Sequence, residues 1–465
     1  MNKVRLDDTI AAVSTPVGEG GIGIVRLSGR DALKVADRIF LSKDGKMPSS
    51  FRTYTVHYGH IAEKSTKRLI DEVILTVMRS PGSYTKEDVV EINCHSGIAS
   101  LRSILDLVLK NGAMLAEPGE FTKRAFLNGR IDISQAESVL DIIKAKTDLS
   151  LKAALNNLGG LLSKKIEYIR NELMGVFTRI EASIDFAEEE DIDALSPKDI
   201  LNRLKRAKKE TETLIATARK GKVLRQGVKT VICGSPNVGK SSLMNALLRE
   251  SRSIVTRIPG TTTDTIEETI NIKGMPVVLV DTAGISRSRH PVAKQGIERS
   301  HFSIKEADLI LFVTDHGRKI EKRDLDIIAK IKDKEIILVI NKKDLAKRIN
   351  VNAIKRKLPK KPIAYVSALN GSGIGDLEKA IQNIIFKGKV TAADMISVSN
   401  DRQLEILNRS LEAIKKAISG CEDSLPADCI GVDVRSSIEA LGEITGQTIT
   451  EEALDRIFSE FCVGK

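Results

Sequence analysis

Eight residues constrain this chain more than any others: Gly234-Ser235-Pro236-Asn237-Val238-Gly239-Lys240-Ser241. They follow an apolar, strand-like run at residues 230–233 and open a helical pattern at 242–248. A glycine-bounded loop between a strand and a helix turns its backbone N–H groups inward. The helix N-terminus adds positive potential, so such a segment is suited to cradling phosphates. The motif requires strand before and helix after, and the same alternation continues to residue 386. Strands are expected at 230–233, 277–280, 309–313, 336–340 and 363–366, in a doubly wound, mainly parallel sheet.

Three later signals fall at strand ends and indicate which nucleotide is bound. Asp281-Thr282-Ala283-Gly284 offers a carboxylate to support Mg²⁺ and an amide to meet a γ-phosphate. Asn341-Lys342-Lys343-Asp344 offers a carboxylate that can accept both N1–H and the exocyclic amine of guanine, a pattern adenine lacks. Ser367-Ala368-Leu369 suits backbone contact with guanine O6. Lys240 is expected to reach the β- and γ-phosphates and Ser241 to hold Mg²⁺, with Asn237, Val238, Gly239 and Ser242 around them. Between the phosphate loop and Asp281 lies Thr256-Arg257-Ile258-Pro259-Gly260-Thr261-Thr262-Thr263-Asp264. This reads as a switch loop: Thr262 closes on Mg²⁺ when GTP is bound, and Gly260 permits the close turn. These signals predict a GTP-binding and GTP-hydrolysing domain, with Lys240, Thr262, Asp281 and Gly284 in the catalytic roles.

At 465 residues the chain exceeds one ordinary domain. Residues 1–118 carry short apolar alternations at 22–27, 73–78 and 89–92, set off by Gly and Pro, and predict a small α+β domain. Apolar residues recur at helical spacing through 119–220, as in Leu140 and Ile143 or Ile166, Ile169 and Leu173. Helical patterning resumes over 387–465, at 404–418 and 436–461. The α/β domain, 221–386, therefore reads as an insertion into one helical domain. The acidic run Glu188, Glu189, Glu190, Asp191 and Asp193 is an acidic loop or helix start rather than a metal site. Gly18, Gly20 and Gly23 match a dinucleotide-binding spacing, but a strand-like 24–27 follows where a helix is needed. No apolar stretch is long enough to span a bilayer, no signal-peptide pattern opens the chain, and five scattered cysteines suggest reduced thiols; a cytoplasmic protein is expected. The net charge of +11 fits either a polyanionic partner or simple solubility.

Several further segments carry a resemblance over essentially the whole chain. They are Gly20-Gly21-Ile22-Gly23-Ile24-Val25-Arg26-Leu27-Ser28-Gly29, the run from Glu117 to Arg130 reading EPGEFTKRAFLNGR, and the terminal Phe461-Cys462-Val463-Gly464-Lys465. With the GTPase inserted between helices, the sequence resembles the MnmE (TrmE) family of tRNA-modifying GTPases. The ending departs slightly from that family's usual Cys-Ile-Gly-Lys. The resemblance implies a homodimer joined through the N-terminal domains, with GTPase domains meeting across it. It further implies a heterotetramer with the flavoprotein MnmG (GidA) that adds an aminomethyl-type (cmnm5) group at C5 of the wobble uridine of certain tRNAs. A 5-formyl-tetrahydrofolate site is implied in the N-terminal domain, with Arg26, Glu91 and Arg130 on the folate and Lys465 nearby. It also implies a K⁺ ion beside the phosphates in place of an arginine finger, held by Asn237, Thr256, Ile258 and Thr261. From the residues themselves, Glu91, Asn93 and His95 share one strand face, which suits either a pocket wall or a solvated sheet face. Cys462 reads as either a reactive thiol or part of a structural tail, since the ending fits prenylation poorly.

Two positions depart from the family pattern. The switch Gly-Thr-Thr-Arg-Asp has Thr263 for its Arg, and the catalytic Glu three residues before Gly296-Ile297-Glu298-Arg299 is Ala293. Alanine cannot orient a water. Either Glu298 substitutes or hydrolysis is slow while GTP binding stays intact. A ribosome-assembly GTPase would share the nucleotide motifs, but it predicts an RNA-binding module after residue 386, where this chain returns to helices. A GTP-dependent assembly switch with weak hydrolysis is a third reading, which Ala293 keeps open beside the leading one, a GTPase subunit of the wobble-uridine modification machinery.

Overall fold

The computed structural model describes residues 8–185, 197–250, 267–281, 304–386 and 398–465, in two compact units, Met1–Leu140 with Ile438–Lys465 and Asp141–Ser437. The acidic run at 188–193 lies outside the described residues.

The first unit is built on seven strands: β1 (Ile10–Val13), β2 (Gly23–Ser28), β3 (Phe40–Ser42), β4 (Thr55–Glu63), β5 (Arg68–Met78), β6 (Val89–Cys94) and β7 (Met114–Leu115). Their order is β3-β4-β5-β6-β2-β1-β7, antiparallel throughout except for the parallel pair β1 and β7. Side chains alternate across such a sheet. Val25 and Leu27 of β2, Val73 and Leu75 of β5, and Ile92 and Cys94 of β6 form one core with helices Ala32–Ile39 and Ile98–Lys110. The alternate residues Arg26, Thr76 and Glu91 project from the opposite face. The start of β2 at Gly23 bears out the rejection of a dinucleotide fold, because a strand stands where the helix would be needed.

This unit continues past residue 118. Helix Glu120–Leu127 is locked to the sheet by Arg124, whose side chain is 1% exposed. It pairs with Glu120 at 2.8 Å and Glu87 at 3.2 Å, and donates to the Asp8 carbonyl at 2.7 Å. The last helix, Glu451–Ser459, packs against Glu120–Leu127, and Lys123 pairs with Asp455 at 2.6 Å. The helical pattern expected over 436–461 is broken here. Ala427–Thr445 ends before Gly446, whose φ of +89° leaves the helical region, and Thr450 caps the next helix.

The second unit holds the α/β sheet: β8 (Val228–Cys233), β9 (Glu267–Ile272), β10 (Met275–Asp281), β11 (Leu309–Asp315), β12 (Ile336–Asn341) and β13 (Ile363–Tyr365). Their order is β13-β12-β11-β8-β10-β9. All five expected strands are present and mutually parallel. The sequence reading missed β9, an antiparallel edge strand joined to β10 by a turn at Lys273 and Gly274. Leu243 and Leu247 of helix Lys240–Glu250 and Leu377 and Ile381 of Ile374–Phe386 cover one face; Ile328, Ile331 and Ile354 cover the other.

Helix Pro197–Gln226 leads into this sheet, and Asp401–Glu422 follows it. The two pack together. Lys222 pairs with Asp401 at 3.0 Å and Lys205 with Glu422 at 3.1 Å, so the helices run antiparallel. The chain leaves and re-enters one helical layer, which is what an inserted domain requires.

Removing Arg124 leaves two carboxylates in a dry site. Arg124→Ala is expected to cost about 3–5 kcal/mol of stability, read as a lower urea midpoint by circular dichroism. The Arg124→Met, Glu87→Gln, Glu120→Gln triple variant should recover part of it, and an unchanged midpoint in Arg124→Ala would contradict this account.

Candidate functional site

The phosphate loop leaves β8 at Cys233 and enters helix Lys240–Glu250, as the motif requires. Its two glycines are needed for space. A Cβ on Gly234 (φ +147°) would lie 2.2 Å from the Val313 carbonyl oxygen, and one on Gly239 (φ +91°) would lie 2.3 Å from Asn341 Nδ2. Asn237 adopts a left-handed φ of +63° and is exposed with Pro236, while Val238 is buried beneath them. Lys240 Nζ donates to the carbonyls of Gly234 and Ser235 at 3.1 and 2.9 Å, which keeps its ammonium over the loop. Ser235 Oγ donates at 2.5 Å to the buried Asp324 carboxylate, itself paired with Arg318 at 2.8 Å. No sequence motif signalled that anchor.

The parallel sheet brings the other motifs to the same edge. Asp281, last residue of β10, is the backbone partner of Ile232 in β8, and Asn341, last of β12, partners Asp315 of β11. Asn341 is 2% exposed and joins two loops. Its Nδ2 donates to the Val238 carbonyl at 3.0 Å, and its Oδ1 accepts from the Ala368 amide at 3.0 Å. Lys342 Nζ binds Asp315 at 2.7 Å and donates to the Asn237 carbonyl at 2.9 Å. Asp344 is exposed; the Ser367 hydroxyl donates to its carboxylate at 2.5 Å and holds it below the usual carboxylate range. An ionised, acceptor-only carboxylate on a pinned loop matches the paired donors of guanine. Lys343 and Leu369 are exposed, and Ala368, expected against guanine O6, here gives its amide to Asn341. Ser241 and Ser242 follow Lys240 in the first helical turn. The switch residues Thr256, Arg257, Ile258, Pro259, Gly260, Thr261 and Thr262 lie outside the described residues, as do Thr282, Ala283, Gly284, Ala293 and Glu298.

In the other unit, sheet register builds a second polar cluster. Arg26 of β2 sits opposite Glu91 of β6. Arg26 Nε and Nη2 both reach Glu91 Oε1 at 2.7 Å, and Nη1 donates to the Gly464 carbonyl at 3.2 Å. Ser14 Oγ donates to that same carbonyl at 3.1 Å. The C-terminal tail is pinned there by a bridge between Pro118 and Val463, and Gly464 (φ +91°) must be glycine because a Cβ would lie 2.3 Å from the Val13 oxygen. Cys462 is exposed within this ordered tail. Lys465 lies in the same cluster, and burial, then the Arg26 cation, hold its ammonium below its usual range. Arg130 is exposed and stacks over the Tyr84 ring at 4.7 Å, while Arg26 lies 5.7 Å from the Phe121 ring centroid. Burial raises the Tyr84 phenol, and the Thr122 hydroxyl and the Arg130 and Arg26 cations act against that rise. Tyr84 and Phe121 were not among the residues expected; only an aromatic beside a charged run marked them.

Asn341→Ala leaves the Val238 carbonyl and the Ala368 amide without their partner, at about 1–3 kcal/mol for each unsatisfied group. Guanosine diphosphate affinity, measured with a fluorescent analogue, should fall by about tenfold or more. Asp344→Asn exchanges an acceptor for a donor and should shift preference from GTP to xanthosine triphosphate in the same assay.

Residues 133–462 match the family model described as the MnmE helical domain, and residues 9–130 match that of the GTP-binding protein TrmE N-terminus. A tRNA modification GTPase MnmE from Bacillus velezensis is 46% identical over 458 residues, covering 98% of this chain and all of that one. Its namesake from Desulforamulus reducens is 47% identical over 461 residues, covering 99% of this chain and all of that one. With both halves of the architecture matched at full length, the chain belongs to the MnmE family of tRNA modification GTPases.

Proposed function

We propose that the chain binds GTP with Mg²⁺ at the edge formed by β8, β10 and β12, hydrolyses it, and serves the modification of tRNA wobble uridine. The observation that carries this reading is the Asn341 staple, which holds the phosphate loop and the guanine-facing loops as one site. Lys240 neutralises the β- and γ-phosphates. Ser241 and Asp281 stand on adjacent elements and suit an oxygen-liganded Mg²⁺, which would offset charge at the transferring phosphoryl group. Thr262 and Gly284 complete the site from the switch segments, and Asn237 with Thr256, Ile258 and Thr261 would hold K⁺.

The Arg26–Glu91 pair, with Lys465, Arg130 and the Tyr84 and Phe121 rings, supports the folate assignment. Cations, one carboxylate and aromatic faces suit a planar anion such as 5-formyl-tetrahydrofolate. Homodimerisation through this unit is supported by its outer sheet face, where Val56, Tyr58 and Ile74 are 63%, 46% and 45% exposed. Family membership supports the MnmG partnership and the cmnm5 product. Loss of the modified wobble nucleoside in a deletion strain, read by mass spectrometry, tests the whole reading; an unchanged profile would sink it.

Ala293 favours slow hydrolysis, so that GTP loading acts as an assembly switch. Single-turnover hydrolysis should be slow in the native chain, faster in K⁺ than in Na⁺, and accelerated tenfold or more by Ala293→Glu. Equal rates in the two salts would remove the K⁺ assignment. A kcat lowered by Glu298→Ala would mean that Glu298 substitutes for the missing glutamate.

A further inference from the structure

The chain carries a net charge of +11, and residues 342–361 hold nine Lys or Arg against the single acid Asp344. Two of the nine, Lys342 and Lys361, are paired, with Asp315 and Glu335. Lys347, Arg348, Lys355, Arg356, Lys357 and Lys360 are exposed, and none has an ion-pair partner among the described residues. Helix Pro197–Gln226 is also basic, yet most of its charges are met: Arg203 and Arg206 by Glu172, Lys205 by Glu422, Lys208 by Glu212, Lys222 by Asp401 and Arg225 by Asp141. Among the described residues, 347–360 therefore form a stretch of exposed positive charge that no acid offsets.

That patch is held in place. The amides of Arg348 and Ile349 donate to the His316 carbonyl at 2.9 and 3.2 Å, and Asn350 caps helix Val351–Lys357. Val351, Ile354 and Leu358 are buried in the core beneath β11 and β12, which turns the exposed side of a helix about 10 Å long outward as Lys355, Arg356 and Lys357. A helix C-terminus favours cations in its last turn, but that does not account for Lys347, Arg348 or Lys360. With its apolar face already in the core, the helix has none to insert into a bilayer, which disfavours a lipid surface.

We infer that residues 347–360 form a docking face for the phosphodiester backbone of RNA, placed directly after the guanine-reading loop. Lysine and arginine without interleaved aromatics bind phosphate rather than bases, so the face positions RNA without reading its sequence. The inference rests on the tRNA modification reading for the identity of the RNA.

The test uses the full chain and a tRNA transcript, with binding followed by fluorescence anisotropy across a salt series. Neutralising the helix (Lys355→Gln, Arg356→Gln, Lys357→Gln) should weaken binding at least tenfold. It should also flatten the slope of log K against log salt by about two, since each phosphate contributes about 0.7–0.9. Guanosine diphosphate affinity should stay within twofold, which shows that the domain is intact. The comparator Lys205→Gln, Arg206→Gln, Lys208→Gln should leave the slope in place. A native chain that does not bind the transcript, an unaltered slope in the helix variant, or an equal change in both variants overturns the proposal. So does loss of binding to phosphatidylserine vesicles with RNA binding retained, which would make the face a membrane surface. The deletion-strain nucleoside profile reports on the enzymatic reading separately: modification lost there with an unaltered slope here removes the docking face alone.

Discussion

Asn341 makes two hydrogen bonds from a side chain that is almost wholly buried, one to each of the loops that must meet around a nucleotide. Buried amides are costly unless satisfied, so the native fold is the arrangement in which Val238 and Ala368 both come within reach. Gly239 exists to allow that approach, and Lys342 repeats the tie from the next residue by bridging Asp315 and the Asn237 carbonyl. Asp344 can be exposed and still well placed because its loop is anchored on both sides. Asn341 thus sets the relative position of the two loops on which we propose that the nucleotide is read.

The first unit follows a parallel logic with charge in place of an amide. Antiparallel register sets Arg26 opposite Glu91, and the guanidinium, held by that carboxylate, donates from Nη1 to the Gly464 carbonyl. A residue near the chain's end is thereby fixed to a strand near its beginning. Arg124 does the structural work beside it, tying helix Glu120–Leu127 to Glu87. The two arginines differ in setting: Arg124 is almost wholly buried among its partners, whereas Arg26 keeps part of its side chain exposed in the cluster we propose as a folate site.

Much of this was legible beforehand where local chemistry repeats a known requirement. Glycines bounding a phosphate loop, strands of uninterrupted Val and Ile, and strand faces alternating through Glu91 and Asn93 all depend on near neighbours in the chain. Edge strand β9 escaped because its alternation is short and its only partner among the described residues is antiparallel. The break at Gly446 escaped because a single glycine within a helical pattern does not by itself end a helix. Ser235–Asp324 and Tyr84–Arg130 escaped because each pair is far apart in sequence, and no spacing rule connects its members.

By itself the sequence determined the family to which this chain belongs and set out, from residue type and short spacing, the residues we propose for the phosphate and base contacts. Tertiary structure decided which of them are free to act. Ala368 gives its amide to Asn341, Lys240 leans on its own loop, and Arg26 is already paired. It also decided that residues 347–360 stay uncompensated while most charges of the basic helix Pro197–Gln226 do not, because acids that pair with that helix come from distant parts of the chain that only folding brings alongside.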